Sequence, residues 1–166
     1  KGWADDQRVY YASETSGPIS KMSLYDSIAE VKGIEGKGVR MKAVFDFGSK
    51  NKTVLVKVGL SPVSYENASA NIKAEIPHWD FDKTVQQANS KWNKELNKIQ
   101  IKADDETKKV FYTALYHTMF APSVFNDANG DYRGTDKKVY KKAGFTNYTT
   151  FSLWDTYRAL RPLYTI

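Results

Sequence analysis

The alternation of apolar and polar residues divides the chain into two parts with different periods. Between residues 39 and 60, apolar side chains recur at about every second position, in the runs 39–47 and 54–60. A period of two is typical of a β-strand that buries one face. The intervening Gly48-Ser49-Lys50-Asn51 has the composition of a turn. The pattern therefore predicts a hairpin of these two strands with one buried face.

Two further strands are predicted nearer the N-terminus, over residues 8–12 and 19–24. The turn residues Ser16-Gly17-Pro18 separate them. Several short strands joined by turns indicate an antiparallel sandwich, of which about four strands would form only a part.

From Asn67 onward the period is that of helices. An apolar stripe at spacings of three and four predicts one long helix with Asp82 as its N-cap. The stripe consists of Phe81, Val85, Ala88, Trp92, Leu96 and Ile99. The acidic residues 104–106 predict the start of a second helix, whose apolar face extends towards Pro122.

The remainder of the chain contains more turns. Residues 122–148 are predicted as a loop, because they are rich in Asn, Asp and Gly. A final helix is predicted to begin near Ser152 and to be interrupted around Pro162. Strands that precede helices in this way indicate an α+β fold or two separate domains, not an alternating parallel sheet.

Composition narrows the function classes. The chain has 166 residues, a formal charge of +6 and no cysteine, so disulfides, thiolate catalysis and Cys-ligated zinc are excluded. The lysine-rich run 137–142 is interpreted as a solvated loop, since no nucleic-acid-binding signature accompanies it. No apolar run is long enough to span a membrane. No signal peptide is visible, and the opening residues 1–5 resemble the middle of a larger protein.

Two candidate metal sites are rejected at this point. Residues 126–131 superficially resemble an EF-hand loop, but with Asp127 as the first position the sixth residue is Tyr132 and the twelfth is Lys138. A polar turn explains them better. The histidines, His78 in a connector and His117 on a helix, lack metal-ligand spacing, and we expect His117 to be partly buried and satisfied. A Ser-His-Asp arrangement is not excluded by composition, but no Gly-x-Ser-x-Gly motif supports it.

The segment 145–158 holds the strongest candidate site. Trp154 offers a flat apolar face, and Asp155 and Arg158 offer directional hydrogen bonds. Proteins bind sugar rings with this combination. The alternatives are structural: Asp155 and Arg158 are three residues apart and would pair on one helix face, and Trp154 would belong to the core.

Four segments of the chain, in order, resemble glycoside hydrolase family 92, the bacterial α-mannosidases. Residues 56–68 (VKVGLSPVSYENA) resemble the end of that family's N-terminal domain. Residues 111–119 (FYTALYHTM) resemble the opening helix of its catalytic domain, and residues 131–134 (DYRG) and 146–160 (TNYTTFSLWDTYRAL) resemble the family segment after that helix. The resemblance runs from about Arg8 to Ile166.

The resemblance implies an α+β chain in three parts. Residues 1–68 would be the C-terminal part of an N-terminal antiparallel β-sandwich, residues 69–103 a helical linker, and residues 104–166 the first helices of an incomplete (α/α)6 catalytic barrel. Family members are similar in activity, which is a calcium-dependent, exo-acting removal of α-linked mannose with inversion. Inversion uses a carboxylic acid and a carboxylate about 6.5–9.5 Å apart.

The resemblance also implies which functional residues lie in this chain and which lie outside it. The catalytic acid and base and the calcium ligands are expected outside this chain, so no catalytic or metal-binding residue is assigned in it. Trp154 and Asp155 match a family motif that lines the pocket for the terminal mannose, with Asp155 accepting hydrogen bonds from hydroxyls. Arg158 is a further candidate that would hold Asp155 in place.

The sequence therefore predicts an internal piece of a bacterial mannosidase that is periplasmic, secreted or held at the cell surface. Its partners would be a mannose-containing glycan and the remainder of the same polypeptide, without nucleic acid. The piece alone is expected to be inactive. Two alternatives stay open. One is a carbohydrate-binding β-sandwich with a helical tail. The other is a structural fragment, which predicts exposed apolar faces at residues 111–119 and 153–160.

Overall fold

A computed structural model describes residues 6–27, 29–49, 53–150 and 152–165. Its five N-terminal strands are β1 (Tyr10–Thr15), β2 (Lys21–Asp26), β3 (Ala29–Val31), β4 (Met41–Asp46) and β5 (Val56–Ser61). The C-terminal elements are α1 (Tyr65–Glu75), α2 (Phe81–Leu96), α3 (Asp105–Thr118), β6 (Tyr132–Arg133), β7 (Val139–Tyr140), α4 (Leu153–Thr156) and α5 (Leu160–Leu163). All the described strand pairs are antiparallel, which confirms the predicted α+β class.

The predicted hairpin between residues 39–47 and 54–60 is wrong. Strand β4 pairs with β2, with Lys21 opposite Asp46, whereas β5 pairs with β1, with Tyr10 opposite Ser61. Strands β2, β3 and β4 thus form a three-stranded sheet of their own. Along the chain, this sheet is inserted between β1 and β5, which pair with each other. Alternation fixes which face of a strand is apolar but not which strand is its neighbour, and β1, β2, β4 and β5 all have six residues. Of the predicted turn, Lys50 and Asn51 lie outside the described residues.

Helix α1 covers the face of β5 that was expected to be exposed. The helix packs against β5 and β1, and it covers the β5 face that carries Lys57, Gly59 and Ser61. The apolar face, with Val56, Val58 and Leu60, is more than half exposed. The prediction that the apolar face is the buried one is therefore wrong for this strand. The cause is close packing, because Ala68 and Ile72 of α1 approach the strand at its glycine.

Lys57 is held on the covered face by an aromatic partner. Only 8% of this residue is exposed, and its Nζ lies 4.1 Å from the ring centroid of Trp79 in the connector between α1 and α2. A cation placed over an indole ring is attracted by the ring quadrupole. The contact therefore links β5 to the chain segment that leads into α2.

The two long helices begin at aspartates. Asp80 caps α2, since its side chain accepts a hydrogen bond from the Lys83 amide, so the predicted cap Asp82 is wrong and lies two residues further on, inside the first turn. Asp104 caps α3 in the same way through Thr107, as the acidic cluster predicted. The apolar stripe of α2 packs mainly near its C-terminal end, where the Trp92 and Tyr116 rings meet edge to face at 4.5 Å. Phe81, at the other end of the stripe, is 65% exposed.

The C-terminal helical segment is divided earlier than predicted. Helix α4 ends at Thr156 and α5 begins at Leu160, so the break lies before Pro162 and not around it. Pro162 is the third residue of α5. A proline is tolerated in the first turn of a helix, because the amides there have no intrahelical acceptor.

Few apolar side chains are buried. Among the described residues, only Leu24, Ala68, Ile72 and Leu115 form the buried apolar core. The predicted boundary after residue 68 lies within α1, and the three-part division of the chain stays a prediction. Within the described ranges, no helix has the length and apolarity required to cross a bilayer.

Candidate functional site

Helix α4 presents the predicted sugar-binding residues at the surface. Trp154 is 82% exposed, and Asp155 and Arg158 are exposed as well. The buried residue of this helix is Thr156, whose Oγ1 donates to the Ser152 carbonyl at 3.0 Å. The helix thus turns one threonine inward and leaves an aromatic ring and a carboxylate accessible.

The structural alternatives for these residues are not observed. Trp154 does not belong to the core, and among the described residues no ion pair joins Asp155 to Arg158. Arg158 lies beyond the end of α4, with its guanidinium 6.0 Å from the ring centroid of Tyr157. The same ring lies 6.4 Å from that of Trp154. The assignment of Trp154, Asp155 and Arg158 to sugar binding stays a prediction.

A polar cluster with four buried members, Ser61, Asn71, Asp127 and Asp131, connects the β-sheet region to the loop after α3. We call it the Asp127 junction and define it as Ser61, Asn67, Asn71, Asp127, Asn129 and Asp131. The Asp127 carboxylate accepts from Ser61 Oγ at 2.7 Å, from Asn67 Nδ2 at 2.7 Å and from Asn71 Nδ2 at 2.9 Å. Asp127 is only 5% exposed. Buried carboxylates require such donors, because an unpaired buried charge is costly.

The donors of the junction are themselves satisfied. Ser61 Oγ accepts from the amides of Val63 and Ser64, and Ser64 in turn caps α1. Asn71 donates to the Leu60 carbonyl and accepts from the Ala128 amide at 2.8 Å. The end of β5, the first two turns of α1 and the loop at residues 127–131 are therefore joined by one hydrogen-bonded network.

Asp131 forms the second carboxylate of the junction. It accepts from Lys141 Nζ at 2.8 Å, from Asn67 Nδ2 at 3.1 Å and from the Lys142 amide at 3.0 Å. These hydrogen bonds hold the pKa of Asp131 well below its ordinary value, and the bond from Lys141 has the largest effect. The lysine-rich run is consequently not a purely solvated loop, since Lys141 pairs with a buried carboxylate.

The turn at residues 127–130 confirms the interpretation of this segment as a polar turn. The Gly130 amide donates to the Asp127 carbonyl at 2.8 Å, and Gly130 has a φ of 86°, which favours glycine. The carboxylates of Asp127 and Asp131 are occupied by amide, hydroxyl and ammonium donors. In the part of the chain that the structure describes, no group of three or more His, Cys, Asp or Glu residues is placed to hold a metal ion.

The substitution Asp131→Asn is expected to change how stability depends on pH. Because the pKa of the native carboxyl is lowered, its contribution to stability is fully present above the ordinary value of 3.8 and is lost as pH falls below that value. We expect the variant to be less stable at pH 7 but to lose less stability than the wild type between about pH 5 and pH 2. Thermal unfolding of the wild type and the variant across this pH range measures the difference. If stability depends on pH in the same way in both proteins, the lowered pKa of Asp131 is contradicted. The control Asp136→Asn, in the exposed β6–β7 turn, should change the pH dependence of stability less.

A short ladder of hydrogen bonds joins residues 123–126, beside the Asp127 junction, to residues 147–149, which precede α4 in the chain. The Phe125 amide donates to the Asn147 carbonyl at 2.8 Å, and the Thr149 amide donates to the Ser123 carbonyl at 2.8 Å. The Ser123 amide donates back to Thr149 Oγ1 at 2.9 Å, and the Asn147 amide donates to Asn126 Oδ1. Residues 123–126 and 147–149 therefore run as an antiparallel pair, which ends shortly before the helix that carries Trp154.

A cavity of about 650 Å³ lies elsewhere, between the C-terminal ends of α2 and α3 and helix α5. Its lining is mainly apolar and includes Trp92, Leu115 and Tyr164. None of the three predicted sugar-binding residues lines it. Its polar lining residues include Glu95 and Lys98, which pair with each other at 2.8 Å. We assign the candidate site to α4, which carries the predicted sugar-binding residues, and not to this cavity.

The histidines give no alternative active centre. His117 is exposed, so its prediction as a partly buried residue is wrong; its ring packs beside those of Tyr116 and Phe120. His78 lies in the connector as expected, and both its ring nitrogens are buried without a hydrogen-bond partner in the described structure. Neither histidine is bonded to a serine or a carboxylate among the described hydrogen bonds, as a triad would require.

The family model for the glycosyl hydrolase family 92 catalytic domain matches residues 67–166. The chain belongs to glycoside hydrolase family 92. The match begins at Asn67 of the Asp127 junction and includes Asp127, Asp131 and the whole of α4. The resemblance seen in the sequence is thereby confirmed.

Solved structures of the family share the fold. A family GH92 α-mannosidase from Bacteroides thetaiotaomicron is 35% identical with a TM-score of 0.84, over 94% of this chain and 22% of its own. The same mannosidase has also been solved in complex with mannoimidazole. A family GH92 inverting mannosidase from the same organism is 25% identical with a TM-score of 0.77, over 98% of this chain and 23% of its own. This chain thus spans less than a quarter of the length of either structure.

An uncharacterized secreted glycosidase of Arthroderma benhamiae is 31% identical over 110 residues, which are 63% of this chain and 13% of the relative.

Sequence reasoning placed residues 69–103 of this family 92 chain in a helical linker but did not define α1 as a separate helix, and it missed the Asp127 junction. The Ser64 cap before Tyr65 was an available signal for α1, since serine is a preferred N-cap. The junction had a weaker signal. Local spacing tests Asp127 and Asp131 only as metal ligands, whereas their partners are the amide side chains of Asn67 and Asn71.

Proposed function

We propose that the chain is part of an α-mannosidase that removes terminal α-linked mannose from glycans with inversion. The family 92 match over residues 67–166 carries this proposal. Two further observations support it: the relatives of known structure are described as mannosidases, one of them inverting, and an exposed Trp154-Asp155 pair lies within the matched region.

In this proposal, α4 contributes one wall of the mannose pocket. The Asp155 carboxylate accepts hydrogen bonds from sugar hydroxyls, and the accessible indole face of Trp154 packs against the C–H face of the ring. Arg158 is close enough in sequence to bind a further hydroxyl or to orient Asp155. The surface position of α4 supports this role, because a pocket wall has to remain accessible to the ligand.

Proton transfer is assigned to residues outside this chain. An inverting glycosidase needs one carboxylic acid for the leaving oxygen and one carboxylate for water, on opposite sides of the scissile bond. Asp127 and Asp131 are buried and occupied by donors, so they are unsuited to either task.

Calcium is also expected to bind elsewhere in the enzyme. The family resemblance, which places the calcium ligands in other parts of the enzyme, supports this expectation. Export to the periplasm, the cell surface or the medium belongs to the same proposal, and the secreted glycosidase of Arthroderma benhamiae supports it.

The proposal is tested by comparing the complete enzyme with the 166-residue chain. We expect the complete enzyme to hydrolyse an aryl α-mannoside, with proton NMR showing β-mannose as the first product. A chelator should abolish this activity and calcium should restore it. The 166-residue chain should show no turnover. An α-mannose first product would exclude inversion, turnover by the short chain would place the acid and base within it, and an enzyme inactive on α-mannosides would refute the proposal.

A further inference from the structure

We propose that Asp127 is a positioning residue for the mannose pocket: it fixes the ladder from which the Trp154-Asp155 segment extends. The inference rests on the proposed function, since it concerns the same pocket. Asp127 would touch neither the sugar nor the reacting atoms. Its effect would pass through backbone segments that the structure shows to be hydrogen-bonded in sequence.

The first step is the attachment of Asp127 to the β-sheet region. Its carboxylate receives three donors, two from α1 and one from the end of β5, all within 2.9 Å. Hydrogen bonds to charged groups are stronger than neutral ones, and removal of the acceptor would leave buried donors unpaired. The backbone at Asp127 is therefore held in a fixed place relative to β5 and α1.

The second step is the ladder that begins beside Asp127. Asn126, its neighbour in the chain, accepts from the Asn147 amide, and three further hydrogen bonds join residues 123–125 to residues 147–149. The position of residues 147–149 is thus set by a strand whose own end is fixed at the junction. Residue 149 precedes α4 by only a few positions.

The third step is the lack of other support for α4. Three of its four residues are exposed, and no other described helix or strand packs extensively on it. Downstream, the Tyr164 hydroxyl donates to the Ala121 carbonyl and lies 3.4 Å from the Thr118 carbonyl, at the beginning of the segment that leads to the ladder. Both flanks of α4 are consequently attached to residues 118–126. A displacement of that segment would move Trp154 and Asp155 with it.

The test measures mannoimidazole binding by calorimetry to the complete enzyme. The substitution Asp127→Asn keeps the shape of the side chain but replaces one acceptor oxygen by a donor. A misplacement of a binding group by about 1 Å can cost about 100-fold, so we expect the dissociation constant to rise about 10- to 100-fold. The melting temperature should fall as well. Asp136→Asn, which removes a carboxylate bonded to Tyr140 in the exposed β6–β7 turn, should leave the affinity unchanged.

A double-mutant cycle separates positioning from general destabilisation. If Asp127 acts through the α4 segment, Asp127→Asn should weaken binding much less in a Trp154→Ala enzyme, while the fall in melting temperature should be the same in both backgrounds. Additive effects on affinity, or a lower melting temperature with unchanged affinity, would overturn the inference. If Asp127→Asn fails to fold, Thr149→Val replaces it, because this substitution removes the ladder bond from the Ser123 amide. Thr149→Val should then weaken mannoimidazole binding much less in the Trp154→Ala enzyme, and additive effects or an unchanged affinity would overturn the inference. An unchanged affinity in Trp154→Ala alone would instead refute the proposed pocket.

Discussion

The substitution Gly59→Ala is expected to destabilise the protein by about 3 kcal/mol, at the upper end of what overpacking costs. A Cβ at this position of β5 would lie 2.1 Å from the Ala68 carbonyl oxygen and 2.7 Å from Ile72 Cγ1. The first of these atoms belongs to the backbone of α1 and cannot rotate away. The helix would therefore have to move away from the strand to restore an ordinary contact.

The displacement of α1 would also reach the Asp127 junction. Asn67 and Asn71 lie on the same helix as Ala68, and they donate to Asp127 at 2.7 and 2.9 Å, distances that leave little room for movement. Thermal or urea unfolding of the wild type and variant measures the loss. Gly144→Ala is the matched control, because a Cβ there meets no atom within 4 Å, and it should change stability by less than about 1 kcal/mol. Equal stabilities for the two variants would contradict the close packing of α1 on β5.

The sequence predicted the element types better than their neighbours. Periods of two and of three to four residues located the strands and the long helices, since these periods follow from backbone geometry within one segment. The pairing of β4 with β2 and of β5 with β1 depends on contacts between distant segments. For β5 the period of two was correct, but the face predicted to be buried is the exposed one. The small residue Gly59 marked the face on which a helix packs, whereas Val56 and Val58 marked the exposed one.

The Asp127 junction shows why a site built from distant residues is not predicted from local patterns. The hydrogen bonds to the Asp127 carboxylate join residues that are 56 to 66 positions apart. Spacing within residues 126–131 argued against an EF-hand loop, but it contained no information on Asn67 or Asn71. The motif around Trp154 was found because all its parts are consecutive. The structure then added what the motif lacked, namely the exposure of α4 and its attachment at both flanks.

The expectation of exposed apolar helix faces, made for a structural fragment, holds for one of its two segments. Leu153, Trp154 and Tyr157 are each at least 59% exposed. In α3, by contrast, Leu115 is buried, and Phe111 is half-buried. The exposed segment is the one that the proposal assigns to the sugar. Variants of the complete enzyme distinguish a ligand-binding role of this exposed segment from packing against a neighbouring part of the enzyme.

Asp155→Ala in the complete enzyme is expected to lower kcat/KM for an α-mannoside about 100- to 1000-fold. A hydrogen bond between a hydroxyl and a carboxylate contributes about 1.5–3 kcal/mol, so one or two such bonds to the mannose ring account for this range. Asp155 is exposed, and the substitution should therefore leave the melting temperature within about 2 °C of the wild type. A large loss of activity without a loss of stability is the signature of a binding residue and not of a structural one.

Trp154→Ala tests the other half of the pair and should lower kcat/KM about 10- to 100-fold, because an aromatic face contributes less than a charged hydrogen bond to a hydroxyl. Asp82→Asn, an exposed carboxylate in the first turn of α2, serves as the control and should leave kcat/KM unchanged. If both α4 variants retain wild-type kcat/KM, α4 is not part of the pocket. If they lose activity only together with a fall in melting temperature, α4 packs against the remainder of the enzyme, and its exposure here reflects an absent neighbour. The pocket assignment requires the remaining result, in which activity falls and stability does not.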